Sequence, residues 1–382
     1  MIDVVVKKCE RYHKEEIKRC IEEIFQQQNF EKTLASLSSI LLKPNLLGPY
    51  SPARAVTTHP IFVSALIEVL QDYSMEISLL DNPGGTAGYK KVVKETGIQD
   101  LTTRYGVKLL DPASAGVCTF TRSLGDIGDL EFIVSKPFME SEAIINLPKL
   151  KTHTLTLFTG AVKNCYGVVP GLAKSNYHRI APNPAKFAEL IANIYDLVHD
   201  KIIFNLMNGI IGMDGEGPSS GDPKHFDVIL GSKDGVALDY VAARMIGFKP
   251  ERIPTIVSAA RITKVALSGV RVCGDVDAGY RIKNVNIRKS KFSHFVLKNF
   301  SYPFIGIFRK LFWSHPAFMP GKCTRCKICV RSCPALALSL EKDDKIPQLD
   351  PQKCILCLCC VELCPENAAY MKKSFIGRFL IK

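Results

Sequence analysis

Clustered cysteines and recurring lysines carry the chemistry that this sequence offers. Nine of its 14 cysteines fall between Cys323 and Cys364. Eight of these form two runs, Cys323, Cys326, Cys329, Cys333 and Cys354, Cys357, Cys360, Cys364, followed by Pro334 and Pro365. Both runs read C-x2-C-x2-C-x3-C-P, and each position of the second lies 31 residues after its counterpart in the first. Cys359 breaks this register, because its counterpart is Ile328. Three thiolates at two-residue gaps let one loop wrap several corners of a metal cluster. Structural zinc instead uses two C-x2-C pairs around one ion. A disulfide scaffold belongs to short secreted chains, and this one has 382 residues.

The runs resemble the bacterial two-cluster ferredoxin pattern, whose fourth cysteine ligates the other cluster. That resemblance implies two [4Fe–4S] clusters. Cys323, Cys326, Cys329 and Cys364 would hold one; Cys354, Cys357, Cys360 and Cys333 would hold the other. Cys359 becomes a non-ligand beside a cluster. The formal net charge is +13, of which residues 291–382 carry +9. Such a basic segment first suggests nucleic acid. The negative charge of thiolate-bound clusters gives Lys322, Arg325, Lys327, Arg331 and Lys353 another purpose, and no aromatic-rich RNA motif is present. Nucleic acid is therefore not an expected partner.

The elements that would position a site lie upstream. Residues 1–290 alternate short apolar runs with helical spacing. Strands are expected at Val4–Val6, Ile40–Leu42, Ile77–Leu80, Ala143–Leu147, Ile202–Phe204 and Val228–Leu230, and helices over 15–27, 61–70 and 236–245. The fold class is α/β, a mainly parallel sheet covered by helices, plus a small ferredoxin-like domain. The expected boundaries are 1–290, an aromatic and basic linker at 291–320, the cluster domain at 321–372, and a tail at 373–382.

Polar residues gather where the strands end, which is where open α/β sheets bind ligands. They are Lys43, Asn45, His59, Asp81, Asn82, Lys149, Lys151, His153, Lys163, Lys174 and His178. Asp214 and Glu216 follow in a glycine-rich loop. The stretches Lys43-Pro44-Asn45, Asp81-Asn82-Pro83-Gly84-Gly85, Leu147-Pro148-Lys149-Leu150-Lys151-Thr152-His153 and Gly160-Ala161-Val162-Lys163-Asn164 resemble the DUF362 family. So do Gly212–Pro218 and Asp234–Asp239. The resemblance spans about residues 1–260, implies the domain layout with a C-terminal ferredoxin-like module, and supplies no reaction.

Several residues have plainer readings. Gly84-Gly85 could cradle an anion, but a tight turn is favoured. Lys149, Lys151 and His153 alternate along an extended segment and so share a face, either a solvated basic edge or an anion-binding surface. His59 could simply cap a helix. Asp214 and Glu216 are a thin metal site, and a turn is favoured. Cys165 reads as a buried, inert thiol. The aromatics Phe292–Trp313 and the tail Phe375–Lys382 could meet a membrane surface; packing between domains is preferred. No run of 18 apolar residues and no signal-peptide core is present, so the chain reads as cytoplasmic.

These features describe an iron–sulfur redox protein, a candidate oxidoreductase. Its clusters would pass electrons to a small anionic substrate bound by Lys43, Lys149, Lys151 and Lys163, with Asp81, His153 or His178 moving protons. The rival is an electron-transfer adaptor that docks a redox partner protein. Anaerobically prepared protein should contain about eight iron and eight sulfide per chain, as two four-iron sites require. Cys359→Ser should keep that iron, and Cys357→Ser should lose a large part of it. Stoichiometric zinc without a visible chromophore would contradict the reading.

Overall fold

The computed structural model describes residues 1–85, 87–171, 173–287 and 314–373. The aromatic linker residues Phe292–Trp313 and the tail Phe375–Lys382 lie outside them. No helix among the described residues is long and apolar enough to cross a membrane.

One ten-stranded sheet organises the main domain. Its strands are β1 (Ile2–Lys8), β2 (Ser39–Pro44), β3 (Glu76–Leu79), β4 (Lys108–Leu109), and, after a separate hairpin of β5 (Val117–Leu124) and β6 (Gly128–Ser135), β7 (Ile144–Leu147). Then come β8 (Lys149–His153), β9 (Leu157–Thr159), β10 (Ile202–Asp214), β11 (Asp222–Ser232) and β12 (Val270–Gly274). The order is β12-β1-β11-β10-β7-β2-β3-β4; off that path, β8 pairs with β10 and β9 with β8. β2, β3, β4 and β7 pair in parallel. β2 is buried along its length after Ser39, and β7 throughout, because helices cover both faces; hence the unbroken apolar runs. One apolar cluster lies on each side of the sheet.

The expected helices form at Lys14–Gln27, Pro60–Gln71 and Gly235–Met245. Pro60 opens the second at a position where its missing N–H costs nothing, and His59 Nδ1 caps it by accepting from the Ile61 N–H at 3.2 Å. The sheet also holds antiparallel pairings: β10 with β11, β1 with β11, and β8 with β9. The short strands expected at 202–204 and 228–230 are parts of the long hairpin β10–β11. Gly209 and Gly212 let it form, since a Cβ at Gly212 would lie 2.2 Å from the Leu150 carbonyl oxygen.

The cysteine-rich domain is small. β13 (Ser314–Phe318) pairs antiparallel with β16 (Ala369–Lys373), and β14 (Leu338–Ser339) with β15 (Gln348–Leu349). It packs on the main domain: Leu358 is 2% exposed and joins the main domain's core, with Leu356 and Met371 against it.

The parallel strands bring Lys43 and Asp81 together. Lys43 is the last residue but one of β2, and Asp81 follows β3, its parallel neighbour. Lys43 Nζ and Asp81 Oδ1 are 2.7 Å apart, with side chains 1% and 4% exposed. The other carboxylate oxygen accepts from the Leu46 N–H at 2.7 Å. Asp81→Asn would leave the lysine's charge buried without a counter-charge, which typically costs about 3–5 kcal/mol. Denaturant melts should show a loss of that size, and Lys43→Met in the same chain should recover part of it. A near-neutral Asp81→Asn would show that the pair is dispensable.

Candidate functional site

A chain of amides runs from the sheet into a cavity at the carboxyl ends of the parallel strands. Asn146 Nδ2 donates to Asn205 Oδ1 at 2.9 Å, and Asn164 Nδ2 to Asn146 Oδ1 at 2.8 Å. Asn45 Nδ2 donates to Asn164 Oδ1 at 2.9 Å, and Lys151 Nζ to Asn45 Oδ1 at 3.0 Å. Each member is satisfied by the next, as a buried polar network must be. The ammonium of Lys151 is thereby held in place, with a second bond to the Val56 carbonyl at 2.7 Å.

The cavity is lined on the main-domain side by Asn45, Asp81, Asn82, Lys151, Lys163, Lys174, Tyr166 and His178. On the other side it is lined by Cys359, Glu362 and Leu363 of the cysteine-rich domain. About 710 Å³ of atom-free space lies within it, part of it open to solvent. Lys174 Nζ bonds the Asn82 carbonyl and, at 3.4 Å, that of Pro83. Lys163 is half-buried, with its ammonium 5.9 Å from the Tyr166 ring centre. Burial lowers the pKa of all three lysines, to about 7 for Lys151 and Lys174.

His178 stacks on Phe187 at 4.0 Å and meets the Tyr166 ring edge-on. Burial, then the charge of Lys163, lowers its pKa to about 3, so it faces the cavity as a neutral imidazole. Glu362 is buried, and burial raises its pKa against the pull of Lys163 and Lys151. Its Oε1 lies 3.6 Å from His153 Nε2.

Of the residues expected at one site, Lys151, Lys163, Asp81 and His178 line this cavity; Lys43 stands behind Asp81. Lys149 and His153 do not line it. Lys149 Nζ bonds Asn208 and, at 2.8 Å, the Tyr12 hydroxyl, whose ring stacks on His59 at 3.7 Å. The expectation that Lys149, Lys151 and His153 share one face assumed a regular strand. Lys149 pairs with Asn208 but Lys151 with Met213, so β10 advances five residues while β8 advances two. That irregularity sends Lys149 elsewhere. His153 instead accepts the Leu155 N–H on Nδ1 at 3.0 Å and reaches toward Glu362. All three side chains are at most 2% exposed, which excludes a solvated basic edge.

The remaining motifs are structural. Gly84 and Gly85 make a turn against which Leu363 packs; a Cβ on Gly84 would come within 2.6 Å of it. Asp214 accepts the Asn286 N–H at 2.8 Å and so anchors a loop. Cys165 is fully buried, and burial raises its thiol to about 12. Sequence reasoning missed Glu362, Leu363 and Tyr50, whose roles appear only once the domains meet.

The eight cysteines of the two runs are free thiols. Cys323, Cys326, Cys329 and Cys364 line one cavity, and Cys354, Cys357, Cys329 and Cys333 are all within electrostatic reach of Cys360. Both runs carry left-handed residues at matching places: Arg325 and Leu356, Lys327 and Leu358, Leu336 and Asn367. Matching backbone N–H groups reach sulfur, Ala337 to Cys333 at 3.3 Å and Ala368 to Cys364 at 3.2 Å. No three His, Cys, Asp or Glu side chains among the described residues close around a single ion. This donor set fits a multi-iron cluster, wider than one metal ion and held by thiolates that accept N–H bonds. Bound there, such a cluster supplies one-electron transfer.

Comparison with known proteins agrees. Residues 40–244 match the family described as a domain of unknown function, DUF362. Residues 322–368 match a 4Fe-4S dicluster domain. Over 225 residues the chain is 30% identical to a thylakoid-associated protein of Synechocystis sp., covering 58% of this chain and 67% of that relative. A crystal structure of a Thermotoga maritima protein is similar with a TM-score of 0.40 and 14% identity, over 70% of this chain and 61% of that one. The lactate racemase apoprotein of Thermoanaerobacterium thermosaccharolyticum gives a TM-score of 0.36 at 14% identity, over 60% of this chain and 54% of its own. Likenesses this distant say nothing about what the chain does. The family match covers more than half of the sequence: the chain belongs to the DUF362 family and carries a 4Fe–4S electron-transfer domain.

Proposed function

We propose that the protein binds two [4Fe–4S] clusters and delivers electrons, one at a time, to a small anionic substrate in the cavity between its domains. The observation that carries this reading is the cavity's composition. One wall holds strand-end lysines, and the other is the segment around Cys359–Leu363, which lies between cluster ligands Cys357 and Cys364. A docking adaptor has no need to enclose a polar cavity beside its own cluster ligands.

The expected exchange of fourth ligands fits the packing. The cavity lined by Cys323, Cys326 and Cys329 includes Cys364, which leaves Cys333, within electrostatic reach of Cys360, for the other cluster. The cluster of Cys354, Cys357, Cys360 and Cys333 is then nearer the substrate cavity, because Cys359 and Glu362 border it.

Within the cavity the roles divide by environment. Lys163, with no carboxylate bonded to it, and Lys151 bind the anion. Asp81 serves Lys43 rather than a proton path. His178, neutral to about pH 3, can accept or donate a hydrogen bond but is a poor acid at neutral pH. Proton transfer falls to Lys151 or Lys174, whose pKa values near 7 suit it.

Lys163→Met should leave melting behaviour, iron content and cluster EPR signals near those of the parent, yet weaken binding of small carboxylate or phosphate probes at least tenfold in calorimetry. Binding should also weaken as pH rises through about 7, because Lys151 loses its charge there. Folding stability moves the other way. The unfolded lysine keeps its proton up to about 10.4, so the unfolded state binds more protons between about 7 and 10, and this group's contribution rises with pH. Unchanged affinity in Lys163→Met would remove the anion site and leave the adaptor reading.

A further inference from the structure

The two cysteine runs are copies in sequence and in backbone, but their surroundings differ in charge. Residues 321–333 contain Lys322, Arg325, Lys327 and Arg331 and no acidic residue. At the four equivalent positions, 31 residues on, stand Lys353, Leu356, Leu358 and Glu362. Lys353 is exposed, and the other three face the main domain. Leu358 is buried in its core, Leu356 packs against it, and Glu362 lines the inner cavity. The first set is exposed, and so is Cys326 among the first-run thiols. Arg331 reaches across to the Cys326 carbonyl at 3.3 Å, and Arg325 bonds the carbonyls of Glu341 and Lys342. Three positions that face the main domain in one half of the domain thus present cations, Arg325, Lys327 and Arg331, to solvent in the other half, and Lys322 stands exposed beside them.

Neutralising a cluster's charge does not by itself account for this, because the second run meets its cations, Lys151 and Lys163, from the main domain and not from its own loop. The second run holds its thiolates with Leu356, Leu358 and Glu362 where the first has Arg325, Lys327 and Arg331. We infer that the face around Cys326 is the entry port for electrons, docking a small one-electron carrier protein with an acidic surface. Complementary charge raises the encounter rate and orients the partner so that its cofactor meets the exposed edge of the thiolate cavity. One electron leaves the carrier, which is oxidised by one electron, and reduces the first cluster; no bond is made or broken. The inference rests on the two-cluster reading above but not on the inner cavity being catalytic.

The test uses the iron-loaded full chain and an acidic flavodoxin as probe. Lys322→Gln/Lys327→Gln removes two exposed cations, and Lys353→Gln is the control at the place equivalent to Lys322. Binding to immobilised flavodoxin and stopped-flow reduction by the reduced flavodoxin should both weaken about tenfold or more in the double variant. They should change little in Lys353→Gln. The wild-type rate should fall steeply between 0.05 and about 0.3 M salt, as screening shortens to less than about 10 Å, and the double variant should respond less. Reduction by an uncharged photoreductant, iron content and EPR signals should be the same in all three. Equal flavodoxin rates in wild type and double variant would overturn the proposal. So would retention of the wild type, but not the double variant, on phosphatidylglycerol vesicles without flavodoxin binding, which would assign the face to a lipid surface. Loss of clusters in the double variant would assign the lysines to cluster retention and overturn it as well. A wild type without iron would defeat the two-cluster reading itself.

Discussion

The segment from Glu362 to Pro365 is seated on the main domain by its backbone, and the candidate site depends on that seating. The Glu362 carbonyl accepts from the Tyr50 hydroxyl and from Ser219 Oγ, each at 2.8 Å, and the Pro365 carbonyl accepts from Arg54 at 2.9 Å. Arg54 also holds the Ser219 carbonyl and lies over the Tyr50 ring at 4.8 Å, so the three donors brace one another. A buried carbonyl left unpaired costs about 1–3 kcal/mol, which makes this geometry specific. Because main-chain atoms are recognised, the segment is fixed to the same loop whose cysteines would hold a cluster. Without it the lysines would face an open cleft instead of a two-walled cavity beside cluster ligands.

Much of this was legible in the sequence, because strong local signals had no competitor. β2 and β7 are buried on both faces, so their composition needs no alternation to be read. The paired cysteine runs state their own chemistry, and a strand end followed by polar residues marks a ligand site in a parallel sheet. Legibility failed where long-range pairing decides. Asn-Gly and Gly-Met-Asp within β10 look like turn residues; they are strand because Leu150 and Phe226 close over the glycines. Lys149 and Lys151 look equivalent, and only the irregular pairing of β8 with β10 separates them. The Gly84-Gly85 turn had two readings, and neither included Leu363, which lies 278 residues after Gly85.

The polar interior sorts into two kinds of buried lysine, and the contrast bears on function more than any one residue does. Lys43 has a carboxylate at 2.7 Å and is neutralised in place, which is how a structural lysine is accommodated away from water. Lys151 and Lys174 are as deeply placed, yet the oxygens bonded to them are carbonyls and an amide. Such oxygens orient an ammonium without cancelling its charge, and burial then draws the pKa down toward 7. For folding alone a leucine or methionine would serve better at either place. The carboxylates that act on them without bonding are Asp81, on both, and Glu362, which reaches Lys151 from the other domain. A site that orients lysines without neutralising them stores an unmet demand for negative charge. In the proposed function an anion entering the cavity would satisfy that demand, hold the lysines protonated, and lie beside the segment through which electrons would arrive.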